Sequence, residues 1–237
     1  MSNFPDLPGM KDLDANPYEP ELASFDEMQA GGDDDESVVK TGTTTIGITT
    51  DEGVVIATDM RASIGGRFVS NKSIQKVEQI HPTAALTLVG SVGGAQSFIR
   101  TLRSEADLYE VRRGEPMSMS GLATLAGNFA RGGPYFAISP ILGGVDEDGS
   151  HVYSIDPAGG VMQDDYTVTG SGQQIAYGTL EDRYEDGLSL EESRELAIEA
   201  VHAASERDTA SGNGVYVAEV TAEGVDIEGY ENFEGAR

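Results

Sequence analysis

The stretch Gly42-Thr43-Thr44-Thr45-Ile46-Gly47-Ile48-Thr49-Thr50 marks an abrupt change in the character of the chain. Thr44 to Thr50 (TTIGITT) and Gly53 to Asp59 (GVVIATD) are runs rich in β-branched residues, separated by Asp51 and Glu52. That pattern predicts an antiparallel hairpin. Upstream, residues 1–42 carry Pro5, Pro8, Pro17 and Pro20, the pair Gly31-Gly32 and the acidic run Asp33-Asp34-Asp35-Glu36, with apolar residues at no period. Such a segment cannot bury enough surface to offset the entropy of ordering it. It is expected to be a disordered acidic leader, and Asp33-Asp34-Asp35-Glu36 a solvated run rather than a cation site. Residues 43–237 are expected to form one domain.

Downstream of the hairpin a strand is expected at Ala84 to Gly90. Helical periodicity follows, with Ala95, Phe98, Ile99 and Leu102 on one stripe that Leu108 and Val111 continue to Gly114. A second helix is expected from about Met117 to Ala130, with Leu122, Leu125 and Phe129 on one face. Strands are expected at Phe136 to Val145, His151 to Ile155 and Tyr166 to Thr169. Helices are then expected at Gln173 to Tyr184 and Leu190 to Arg207, the latter opened by a capping box of Ser189 and Glu192. Strands at Gly214 to Val220 and Val225 to Glu228 close the chain. Strands, two helices, strands, two helices and strands again imply an α+β fold. Two antiparallel sheets covered by helix pairs would make a four-layer αββα sandwich.

Composition narrows the chemistry. The chain has no cysteine, so disulfides, thiolate catalysis and sulfur-ligated zinc are excluded. His81, His151 and His202 stand far apart without metal-ligand spacing, and no metal site or cofactor is expected. Nothing approaches the roughly 20 apolar residues that span a bilayer. The opening Met1-Ser2-Asn3-Phe4-Pro5-Asp6 lacks the basic and apolar regions of a secretory signal, so a soluble cytoplasmic protein is expected. Acidic residues number 41 against 15 basic ones, a net charge of −26. Residues 1–42 account for 11 acids and 2 bases, so most of the excess lies beyond them. Nucleic acid and anionic membranes are repelled by such a chain. Its self-repulsion is screened at molar salt, where the Debye length is about 3 Å, which points to a salt-rich cytoplasm.

Thr43 stands where the leader meets the first strand. A threonine hydroxyl is a poor nucleophile unless a base takes its proton, and a threonine at a chain terminus carries its own base. Its α-amine titrates near pH 8 (about 7.7–8.0), within reach of neutrality. A cut after Gly42 would expose that amine, and glycine lets the backbone bend there. Alone, TGTTT is also what any threonine-rich strand start looks like.

The wider pattern resembles the β subunits of the 20S proteasome, of the archaeal kind. The residues that carry the likeness are TTTIGITT and GVVIATDMRAS, then QKVEQI, LVGSVGGAQ, GGVDEDGSHVYSIDPAGG, TVTGSGQQIAYG and ERDTASGNG, in that order. Together they cover essentially all of residues 42–237. The resemblance implies the N-terminal nucleophile hydrolase fold, which is the same αββα order. It implies a threonine endopeptidase acting on unfolded polypeptide through an acyl-enzyme ester, after self-removal of the leader between Gly42 and Thr43. By position Thr43 matches the nucleophile, Asp59 and Lys76 its acid and lysine, and Gly90 the oxyanion donor. Ser171, Asp208 and Ser211 match the residues that orient the amine.

Ala62, Ser63, Leu88 and Val92 would line an apolar specificity pocket, implying cleavage after large hydrophobic residues. The partners implied are proteasome α subunits, other β subunits in seven-membered rings (α7β7β7α7) and an ATPase regulatory particle. Gly94 stands where the family often has an aspartate, and the loop Ile64-Gly65-Gly66 carries one residue more than usual. A ring member without activity and another enzyme of the same fold are the competing readings. A serine triad is disfavoured, because no histidine lies in a recognisable motif.

Overall fold

The computed structural model describes residues 42–132, 135 and 137–236. The leader, apart from Gly42, lies outside the described residues. The hairpin forms as expected, from β1 (Thr44–Thr49) and β2 (Val54–Asp59), which pair antiparallel with Thr45 opposite Thr58 and Thr49 opposite Val54. Thr50 closes the turn: its hydroxyl donates to the Gly53 carbonyl and accepts the Glu52 and Gly53 N–H groups.

Two antiparallel sheets of five strands form the centre. The first takes β1 and β2 with β10 (Tyr166–Gly170), β11 (Val215–Thr221) and β12 (Gly224–Tyr230), in the order β10-β1-β2-β11-β12. The second runs in chain order through β5 (Val77–His81), β6 (Ala84–Thr87), β7 (Ile141–Asp146), β8 (Gly149–Ile155) and β9 (Val161–Asp164). A separate short hairpin joins β3 (Ala62–Ile64) to β4 (Phe68–Asn71).

Four helices follow the periodicity read above. Helix α1 (Val92–Arg113) is capped by the Ser91 side chain and ends on Gly114 at φ 76°. Helix α2 (Met119–Ala130) is capped by Ser118. Helix α3 spans Gln173–Arg183, and α4 (Leu190–Ser205) begins with both halves of the Ser189–Glu192 capping box.

Three apolar clusters fill three interfaces, and so define four layers. Phe98, Leu102, Leu122 and Met119 of α1 and α2 pack with Leu86, Leu142 and Tyr153 of the second sheet. Val54, Ile56, Ala218 and Val220 meet Ala85, Ile141 and Val152 between the sheets. Ile46, Ile48, Val55 and Val217 pack with Leu180, Leu196 and Val201 of α3 and α4. Gly47 permits the close approach of the sheets, since a Cβ there would lie 2.9 Å from Ile141 Cγ2. The αββα sandwich is therefore the architecture expected.

Boundaries differ where tertiary contacts compete with propensity. The strand expected from Phe136 begins at Ile141, after Pro140, which has no N–H for the ladder. The strand expected to reach Gly90 ends at Thr87; Leu88 N–H still donates to the Lys76 carbonyl, and Gly90 forms an isolated bridge to Ile138. Strands β3, β4, β5 and β9 were not anticipated. All four residues of β4 are exposed, so no alternation marks it. Among the described residues no helix is long and apolar enough to cross a membrane.

Candidate active site

Because β1 and β2 are joined by a tight turn, the start of one and the end of the other lie side by side at one edge of the sandwich. Thr43 and Asp59 meet there. Asp59 is fully buried, and a buried carboxylate must be paired and hydrogen-bonded or its desolvation is ruinous. It accepts five hydrogen bonds. Oδ1 takes the Thr43 hydroxyl at 2.8 Å, the Thr44 N–H at 3.0 Å and the Lys76 ammonium at 2.7 Å. Oδ2 takes the N–H groups of Arg61 and Gly212, each at 2.9 Å.

Lys76 lies just before β5 and is 4% exposed. Its Nζ donates at 2.7 Å both to Asp59 and to Thr43 Oγ1. Burial pushes the Lys76 ammonium below the usual lysine range, while the Asp59 charge opposes that fall. Thr43 Oγ1 is thus held between an acceptor that can draw its proton and a donor that can stabilise it as an anion.

A second group of residues reaches the Thr43 nitrogen, which in this chain is a peptide N–H. That N–H donates to Ser171 Oγ at 3.1 Å, and Ser171 donates to Asp208 Oδ2 at 2.6 Å. Ser211 donates to the same Oδ2 at 2.6 Å and shares a 2.8 Å hydrogen bond with Thr44 Oγ1. The network therefore runs from Thr43 N through Ser171, Asp208 and Ser211 to the hydroxyl of the next residue. The six residues expected to be catalytic, Thr43, Asp59, Lys76, Ser171, Asp208 and Ser211, are brought together.

Gly90 has φ 94°, a region that side chains rarely enter. A Cβ there would fall 1.8 Å from the Ala137 carbonyl oxygen, so glycine is required by the chain's own backbone. Gly42 is equally constrained, with a Cβ placed 1.9 Å from Ala210 Cβ and 2.7 Å from Ser171 Oγ. A small cavity of about 20 Å³ opens beside Thr43, lined by Gly42, Arg61, Ala62, Ile74, Leu88 and Val92 among others. Ser63 does not line it. That residue is 1% exposed, and among the described residues its hydroxyl has no hydrogen-bond partner. A larger hollow of about 560 Å³ touches Gly170, with Val89, Ser139, Asp156 and Gln173 around it.

Three contributors were absent from the expected set: Thr44, Gly212 and Arg61. Thr44 and Gly212 act on Asp59 through backbone N–H groups, which any residue type supplies. A trace exists for Gly212, because Gly212, Asn213 and Gly214 sit at φ 144°, 68° and 111°. Gly-Asn-Gly is the sequence form of such a path.

The chain as a whole is similar to known proteins. A family model described as "Proteasome subunit" matches residues 39–220. The chain is 83% identical over 237 residues to a proteasome subunit beta of Halomicrobium mukohataei, covering 100% of both chains. It is 70% identical over 234 residues to proteasome subunit beta 2 of Haloterrigena turkmenica, covering 99% of each. Against proteasome subunit beta 1 of Haloarcula marismortui the figure is 69% over 234 residues, 98% of this chain and 97% of the relative. These relatives come from halophiles, in keeping with the acidic excess.

Proposed function

The chain belongs to the proteasome subunit family, and we propose that it is a catalytic β subunit, a threonine endopeptidase with Thr43 Oγ1 as nucleophile. One observation carries this reading: Lys76 Nζ stands 2.7 Å from both Thr43 Oγ1 and Asp59 Oδ1, in a pocket closed to bulk water. A structural ring member would have no use for a buried lysine aimed at a threonine hydroxyl.

Removal of the leader comes first. While Gly42 is attached, the Thr43 nitrogen is an amide and cannot act as a base. The hydroxyl proton passes to Asp59 while the Lys76 ammonium stabilises Oγ1, and Oγ1 adds to the Gly42 carbonyl carbon. The C–N bond then breaks as that proton is delivered to the Thr43 nitrogen, giving a free amine and an ester, which water hydrolyses. The freed α-amine stays where Ser171 and Asp208 already hold the nitrogen, and becomes the base for substrate turnover. In turnover Oγ1 attacks the scissile carbonyl, the amine takes its proton and passes it to the leaving amine, and water releases the acyl group. Gly90 N–H serves the developing oxyanion, a donor typically worth about 3 kcal/mol of barrier.

Gly42 lines the cavity beside Thr43, so the leader's last residue occupies part of the mouth. As it stands, about 20 Å³ has room for roughly one water molecule, and a large side chain enters only after the leader has gone. The apolar Ala62, Leu88 and Val92 then favour hydrophobic residues before the cut. We infer that the subunit assembles with other β subunits and with α subunits in stacked seven-membered rings fed by an ATPase, an arrangement that would enclose the site in a chamber.

The test is co-expression with an α partner, followed by intact mass and peptide hydrolysis. Wild-type particles should carry β chains starting at Thr43 and cleave a hydrophobic fluorogenic peptide. Hydrolysis that survives Thr43→Ala in every β subunit would remove Thr43 from the mechanism.

A further inference from the structure

Arg61 occupies a place that none of the chemistry above explains. Its backbone N–H supports Asp59 Oδ2, but its side chain turns the other way, across the segment that follows Asp208. Nε donates to Asn213 Oδ1 at 2.9 Å, and Nη1 donates to the Thr209 carbonyl at 3.0 Å. The guanidinium therefore holds both ends of residues 209–213. It packs closely against Gly212, where an added Cβ would fall 2.5 Å from Nη2.

What that segment carries gives the contact its meaning. Ser211 Oγ donates to Asp208, and Gly212 N–H donates to Asp59 Oδ2 at 2.9 Å. Gly212 C=O also accepts the Met60 N–H at 3.1 Å. The segment thus touches both halves of the site, the amine-orienting network and the carboxylate that holds Lys76. Its backbone is not one the chain would choose freely, with Gly212 at φ 144° and the non-glycine Asn213 at φ 68°. Such a conformation persists only where neighbouring contacts over-determine it. Arg suits the task because its planar guanidinium sets several donors in a rigid fork, wide enough to bridge two separated acceptors.

We propose that Arg61 is a positioning residue that clamps residues 209–213 so that Ser211 and Gly212 hold Asp208 and Asp59 in register with Thr43. The proposal rests on the reading of Thr43 as nucleophile. Arg61 does not touch the reacting atoms. Its effect falls on alignment, so it is felt in turnover more than in substrate affinity.

Assembled particles carrying Arg61→Ala, Arg61→Lys or Asn213→Gly are compared with wild type on a fluorogenic peptide ending in tyrosine. Arg61→Ala should lower kcat about tenfold or more with KM within about twofold, as expected for misplaced catalytic groups. Arg61→Lys should recover part of the loss, since one of the two acceptors remains in reach. Asn213→Gly tolerates the backbone conformation but removes one acceptor, so it should lower kcat by a smaller factor. Wild-type kcat in Arg61→Ala overturns the proposal, and so does a raised KM at unchanged kcat. If Arg61→Ala does not assemble, unchanged kcat in both other variants overturns it. Failure of the Thr43 reading is seen separately, as hydrolysis by Thr43→Ala particles. In that same background Arg61→Ala should speed amide exchange at Ser211 and Gly212, and unchanged exchange there overturns the clamp whatever the nucleophile is.

Discussion

Lys76 Nζ lies 2.7 Å from Thr43 Oγ1, across 33 positions of chain, and at the same distance from Asp59 Oδ1, which itself accepts the Thr43 hydroxyl at 2.8 Å. The three groups close a triangle of buried side chains. Substituting Lys76→Met keeps much of the volume and removes the charge. Turnover should fall by about 10³-fold or more, because members of a catalytic unit fail together. The leader should stay attached, read as an intact mass of the full-length chain. Lys76→Arg should not rescue either property, since a guanidinium is larger, planar and held in its charged form. Removing Lys76 also strands Asp59, at a cost of about 3 kcal/mol in denaturant unfolding, the low end for a broken buried pair because four other donors remain.

On the proposed mechanism, Gly42 is a steric requirement for cutting the leader. With a Cβ at 42 only 1.9 Å from Ala210 Cβ, Gly42→Ala must displace the scissile carbonyl from Thr43. Mass analysis should show leader retention in most chains. Adding Ala210→Gly removes the nearer obstacle, leaving Ser171 Oγ at 2.7 Å, and should restore part of the processing. Full processing of the single variant would show that the clash is absorbed elsewhere.

Asp146 anchors helix α2 in a pH-dependent way. Its Oδ2 accepts the Met119 N–H at 2.7 Å, and Oδ1 accepts the Asp148 N–H at 3.0 Å and meets His151 Nε2 at 2.9 Å. Burial alone would raise its pKa, but the two N–H donors and His151 outweigh that and hold the carboxyl below its usual range. A depressed folded pKa gives stability that is present above the unfolded value of about 3.9 and lost as pH falls through the folded value. Asp146→Asn should therefore lower the unfolding midpoint at pH 7, by the order of 1 kcal/mol expected for a weakened helix cap. The gap should close below about pH 4. A gap that stays constant down to pH 3 would exclude the carboxylate charge as its source.

A net charge of −26 makes folding salt-dependent. Raising potassium chloride from 0.1 M to 2 M shortens the Debye length from about 10 Å to below 3 Å and screens the self-repulsion. The thermal midpoint should rise across that range. Neutralising five surface acids remote from the site, such as Glu105, Asp107, Glu147, Glu195 and Glu223, should flatten the dependence without changing kcat.

Much of this architecture was legible in advance, for identifiable reasons. The runs TTIGITT and GVVIATD carry β-branched residues at six and four of their seven positions, so local propensity alone located the β1–β2 hairpin. The stripe of Phe98, Ile99 and Leu102 and the Ser189–Glu192 box located α1 and α4 from local rules. The β3–β4 hairpin was not legible, because Phe68 and Val69 on it are exposed and break the link between apolar character and burial. The pocket beside Thr43 was legible in part: Ala62, Leu88 and Val92 line it, whereas Ser63 is buried away from it.

By itself, the sequence determined where the β-branched runs begin, just after Gly42, and which side chains are candidates for the chemistry, since only a few residue types can serve as nucleophile, acid and lysine. Tertiary structure decided how Asp59 survives burial. Its five donors come from Thr43, Thr44, Arg61, Lys76 and Gly212, the last 153 positions away. Three of those donors are backbone N–H groups, which leave no mark in residue type. Closing a long loop costs only slightly more than closing a short one, so the chain can recruit them from anywhere the fold brings near.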